Sequence, residues 1–96
     1  MHPASHACRN QSLAEASVAP GAGTMLHRHL RSEEFYHILA GVGEMRLGDE
    51  RYPVSAGDTI CIPPRTPHSI RNTGDHPLVF LCCCSPPYSN EDTELL

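Results

Sequence analysis

Apolar residues in this chain come in short runs, broken every few positions by glycine, proline or charged side chains. No stretch carries an apolar stripe at helical spacing through several turns, so the pattern predicts strands rather than helices. Strands are expected over Ser12–Val18, Met25–His29, Glu34–Leu39, Gly43–Leu47, Thr59–Ile62, His68–Asn72 and Leu78–Cys84. Residues with turn chemistry lie between them, at Pro20-Gly21-Ala22-Gly23, Ala40-Gly41, Gly48-Asp49-Glu50, Ala56-Gly57-Asp58 and Thr73-Gly74-Asp75. Alternation along a strand then places Glu34, Tyr36 and Ile38 on one face and Phe35, His37 and Leu39 on the other. Short strands at this rhythm predict an all-β barrel or sandwich, not a parallel α/β sheet. The same punctuation divides the chain into an N-terminal segment over residues 1–10, one domain over 11–84, and a tail over 85–96. Two prolines and an acidic ending mark the tail, which has room for one short turn or helix.

Ninety-six residues allow one domain with a modest core, and a bound metal or a second subunit would add to its stability. The formal charge is −4, and all seven cationic residues are arginines scattered without a basic run, which argues against nucleic acid as a partner. No apolar run has the length of a bilayer-spanning helix. Met1-His2-Pro3-Ala4-Ser5-His6-Ala7 lacks the basic start and apolar centre of a signal peptide, so the expected location is the cytoplasm. Five cysteines, three of them consecutive at Cys82, Cys83 and Cys84, do not form the spaced pairs of a disulfide framework. Cys82 and Cys84 would share a strand face, a C-x-C arrangement that a soft metal accepts. No second pair exists to close a zinc site, so these residues read as small buried apolar side chains, as do Cys8 and Cys61.

His27 and His29 are one residue apart, and on a strand their imidazoles point to the same side. Imidazole is the commonest metal ligand in proteins, and a carboxylate at Glu33 or Glu34 could join the pair. Taken alone, H-x-H equally describes two surface histidines on an edge strand. His68 can meet them only if the sheet folds back on itself.

The wider spacing carries more. Gly21, His27, His29, Glu34 and Gly41 follow the pattern G, five residues, H-x-H, three or four residues, E, six residues, G. Gly57, Pro63, His68 and Asn72 follow a second pattern, G, five residues, P-x-G, two residues, H, three residues, N, with Arg65 in the place of its second glycine. Together these stretches resemble the paired signature of the cupin superfamily. The resemblance implies a single-domain cupin jelly-roll β-barrel, of a kind that generally forms homodimers. It also implies one divalent transition metal ion, Fe, Mn, Ni, Co, Cu or Zn, held by His27, His29, Glu34 and His68. The spacing to Gly41 favours Glu34 over Glu33. Arg65 raises a question of backbone strain, since a left-handed turn there costs a non-glycine residue on the order of 1 kcal/mol.

A substrate pocket is expected beside the ion, walled by Met25, Tyr36, Ile38 and Phe80, with Arg65 either solvated or reaching over the mouth. Tyr36, on the face of Glu34, is the candidate catalytic donor. Asn72 is assigned a structural role, His37 the outer face, and His76 a solvated turn, while His2 and His6 fall in the N-terminal segment. The implied activity is that of a small metalloenzyme acting on a small organic molecule, as a dioxygenase or as an isomerase or lyase. The alternative is a non-catalytic module that binds or senses a small ligand. A closed structural metal site is disfavoured, because such sites use cysteines at short spacing.

Overall fold

Alternation along residues 33–40 is realised as an extended strand in which Glu34, Tyr36 and Ile38 are buried while Glu33, Phe35 and Leu39 face outward. In a computed structural model, which describes residues 9–96, that strand is one of nine. In chain order they are β1 (Ser12–Val18), β2 (His27–His29), β3 (Glu33–Ala40), β4 (Val42–Leu47), β5 (Glu50–Ser55), β6 (Thr59–Ile62), β7 (His68–Asn72), β8 (Leu78–Ser85) and β9 (Thr93–Leu95). His2, His6 and Cys8 lie outside the described residues. Among the described residues there is no helix, and so none long and apolar enough to cross a membrane.

The strands form two antiparallel sheets, one in the order β1-β8-β3-β6 and the other β5-β4-β7-β2-β9. Stacked face to face they make a jelly-roll barrel. Val18, Tyr36, Ile38, Ile60, Ile62, Leu78 and Phe80 come from the first sheet and meet Met45, Val54 and Ile70 from the second. Each fully buried member of this set contributes roughly 1.5–3 kcal/mol through loss of apolar surface to water.

Two strands were not expected from the sequence. In β5 only Val54 is buried, and Pro53 interrupts the run; an edge position on the second sheet tolerates both features. β9 falls within the segment read as a tail, and it pairs with β2 through His27↔Leu95, Arg28↔Glu94 and His29↔Thr93. An Arg28–Glu94 ion pair joins those strands on their outer face. The second strand is also shorter than expected, starting at His27 rather than Met25.

Gly41 marks one of the four corners where the chain leaves the first sheet and enters the second. Its φ is +88°, and a Cβ there would stand 2.7 Å from the Pro77 carbonyl oxygen. Arg65 adopts a left-handed conformation with φ 66°, the one positive φ at a described non-glycine residue. The turn is retained without glycine, and its amide donates to the His29 carbonyl at 2.6 Å. Asn72 is buried and structural: its amide nitrogen donates to the Val18 and His76 carbonyls, and its oxygen accepts from the Gly74 amide.

Candidate metal centre

Register explains how residues far apart in sequence converge. His27 lies directly opposite His68 across β2 and β7, and His29 follows on the same face of β2. Glu34 approaches from β3 in the facing sheet. One ligand atom from each of His27, His29, Glu34 and His68 lies within 4.8 Å of all the others. A bond of about 2.1 Å to a central ion separates cis ligand atoms by about 3 Å and trans ones by about 4.2 Å. The set therefore needs only a small contraction to close on an ion.

Hydrogen bonding fixes which nitrogen each histidine presents. His27 Nδ1 donates to the Met25 carbonyl at 2.8 Å, and His68 Nδ1 donates to the Thr66 carbonyl at 3.0 Å. The Thr93 hydroxyl gives its proton to the Ser89 carbonyl, so at 3.0 Å it accepts from His29 Nδ1. All three rings thus carry a proton on Nδ1 and turn Nε2 inward, the arrangement outer partners impose on metal-bound imidazoles. His29 Nε2 is 3.1 Å from Glu34 Oε1. His68 Nε2 lies 3.2 Å from the same oxygen without the alignment of a hydrogen bond, which leaves it buried and unsatisfied. A buried ring nitrogen left without an aligned partner costs free energy unless a proton acceptor or a Lewis acid engages it. The four side chains fit a divalent transition ion.

Burial pushes the Glu34 carboxyl up, but contacts with His29, His68 and the Cys84 thiol outweigh it and hold the group at about 2. Burial lowers His27, which favours the neutral ligand form. Burial together with the Glu34 charge raises Tyr36 well above its ordinary value, so its hydroxyl stays protonated.

A cavity of about 280 Å³ opens beside these ligands, lined by Ser12, Ala14, Tyr36, Cys82, Cys84 and Tyr88 as well as His27, His29 and Glu34. Cross-strand pairing builds its wall: Cys84 sits between Ser12 and Glu34, and Cys82 between Ala14 and Tyr36. Of the residues expected on the wall, Tyr36 lines it. Ile38 and Phe80 are sealed in the core, with the Phe80 ring 4.7 Å from that of Tyr36. Met25 is 68% exposed, because the alternation of β2 does not extend back past His27. Arg65 is exposed on its turn and does not line the cavity. His37 is half-buried and bonds Thr59 on the outer side of β3, and His76 is exposed.

Several residues of the site had no individual signal in the sequence. Cys84 donates from Sγ to Glu34 Oε2 at 3.2 Å. Thr93 orients His29, and Tyr88 stands edge-on to it with ring centroids 5.8 Å apart. The alternation of Cys82 and Cys84 was visible, but not the strand each would face.

Residues 14–84 match the Cupin domain family. The chain is a cupin. An uncharacterized protein of Methanocaldococcus jannaschii is 55% identical to this cupin over 96 residues, covering all of the chain and 77% of that protein. The oxalate-binding protein of Thermotoga maritima is 37% identical over 68 residues, 71% of this cupin and 56% of the relative. Among solved structures, oxalate decarboxylase of Lactobacillus farciminis in its formate complex superposes with a TM-score of 0.83 at 29% identity. That match covers 92% of this cupin but 27% of the larger chain.

Proposed function

We propose that this cupin is a small metalloenzyme that holds one divalent transition ion through His27, His29, Glu34 and His68 and acts on a small carboxylate-bearing molecule. The observation that carries the reading is the buried His68 Nε2, without a hydrogen-bond partner and aimed at the point where the other three ligands meet. Three neutral imidazoles and one carboxylate leave a divalent ion with net charge +1, which attracts an anionic ligand. When bound, such an ion supplies Lewis acidity, and iron, manganese or copper would add electron transfer. A cavity of about 280 Å³ limits the ligand to a small molecule. The likenesses to an oxalate-binding protein and an oxalate decarboxylase support a carboxylate as the recognised group.

The chain's own groups bind and orient. Glu34 is the one carboxylate lining the cavity, and its contacts with His29 and Cys84 hold it ionised and in place. The protonated Tyr36 hydroxyl offers a donor on the same face, suited to a substrate oxygen that gains negative charge. Reaction classes open to this arrangement are dioxygenation and isomerase or lyase chemistry. Capture without turnover is the second reading, supported by the relative described as a binding protein.

Elemental analysis of protein purified without added metal or chelator is expected to give about one transition ion per chain. His27→Ala and His68→Ala are each expected to lower occupancy sharply while circular dichroism shows a folded chain. Full, tight metal binding by either variant would rule out the four-ligand site. Oxalate titrated into loaded protein, with product followed by mass spectrometry, separates turnover from capture.

A further inference from the structure

We propose that the outer face of the second sheet carries a separate binding groove for a small dianionic oxyanion, phosphate or a phosphomonoester. The inference does not depend on the metal reading. Three of the seven arginines, Arg46, Arg51 and Arg71, line one open cavity of about 300 Å³ with Ser69, Thr24, Gly23, Ile70 and Glu44. Alternation places them there. Met45, Val54 and Ile70 point into the core, so Glu44, Arg46, Arg51, Ser69 and Arg71 point away from it.

Register brings the positive charges together. Arg46 of β4 lies directly opposite Arg51 of β5 on one side and Ser69 of β7 on the other. Arg71 lies opposite Glu44, one row further along the same face. Like charges directly opposite on a sheet face destabilise it. Of the four arginines outside the groove, Arg28 pairs with Glu94 and Arg31 with Asp92, while Arg9 and Arg65 form no ion pair among the described residues. Among the described residues, none of Arg46, Arg51 and Arg71 forms an ion pair, and Glu44 is the one carboxylate lining the groove. The result is a groove with net positive charge on a chain of formal charge −4. An anion seated between the guanidiniums would relieve the Arg46–Arg51 repulsion and supply the acceptors that their planar N–H forks match. Arg46 Nε already donates to the Gly48 carbonyl at 3.3 Å, which holds one of the three side chains in position.

The test is thermal unfolding of the purified protein in inorganic phosphate and in chloride at matched pH and ionic strength. Arg51→Gln, Arg71→Gln and His27→Ala are run alongside the parent. Phosphate is expected to raise the midpoint of the parent above its chloride value. Each arginine variant is expected to lose at least half of that rise, and His27→Ala to keep it. In chloride alone, Arg51→Gln is expected to match or exceed the parent, because the opposed charge is gone. Equal midpoints in phosphate and chloride would overturn the proposal, as would a full phosphate response in both arginine variants. Loss of the response in His27→Ala alone would also overturn it, by moving the anion to the metal centre. A parallel titration with glycerol phosphate distinguishes the sources: response at lower concentration than inorganic phosphate assigns the ester, and the reverse order assigns the free ion.

Discussion

Glu34 is pulled two ways: burial favours its neutral form, while His29, His68 and Cys84 favour the carboxylate and prevail, holding it at about 2. Because that lies below the 4.5 of a free glutamate, the ionised group stabilises the metal-free fold fully above about pH 4.5. The contribution fades as pH falls from there towards 2, so urea midpoints are expected to decline across that window and to flatten in Glu34→Gln. The neighbouring thiols behave in the opposite sense. Burial and the Glu34 charge push Cys82 up to about 12 and raise Cys84 further. Thiolate is the reactive form, and a group at about 12 is ionised to roughly one part in 10⁴ at pH 8. Among the described cysteines, alkylation by iodoacetamide at pH 8, followed by mass spectrometry, is expected to mark exposed Cys61 first. Cys82 and Cys84 should react at least about tenfold more slowly until the chain is unfolded. The four candidate ligands were legible through the resemblance of their spacing to the cupin motifs. The thiol contact of Cys84 was not, since it joins residues 50 apart through a β3–β8 register that no local rule specifies.

At the scale of elements, β2 is held from both sides. β7 presents His68 to it, and β9 presents Thr93. Asp92, just before β9, also accepts from the Arg31 and Ser32 amides and so anchors the loop between His29 and Glu34. Thr93→Val keeps the shape of the side chain but removes the acceptor for His29 Nδ1. Its metal affinity, measured by competition with a chromophoric chelator, is expected to fall by about 10–100-fold. Unchanged affinity would show that β9 does not orient the ligand. Strands with inward alternation, such as β3 and β8, could be read from sequence because burial stamps a period of two on them. β9 escaped that reading because none of its three residues is buried. β5 escaped it because an edge strand needs little apolar surface and admits proline. Neither strand carries a candidate ligand, yet β9 sets the orientation of one.

Across the molecule, the two sheets are joined where the chain changes sheet and where the ligands meet. Gly41 serves one of these crossings, with a positive φ and no space for a side chain against Pro77. Gly41→Ala adds backbone strain to a backbone clash, and a loss of about 2 kcal/mol or more is expected from chemical denaturation. The candidate ligands form the second junction, since Glu34 stands on one sheet and the three histidines on the other. The barrel was foreseeable in outline because its turns and inward faces are written locally. The pairing of sheets was not, because it depends on contacts between distant strands. Synthesis proceeds from the N-terminus, so His27, His29, Glu34 and His68 all emerge from the ribosome before Thr93 does. The acceptor that holds the His29 ring in place is therefore the last piece of the candidate site to be synthesised.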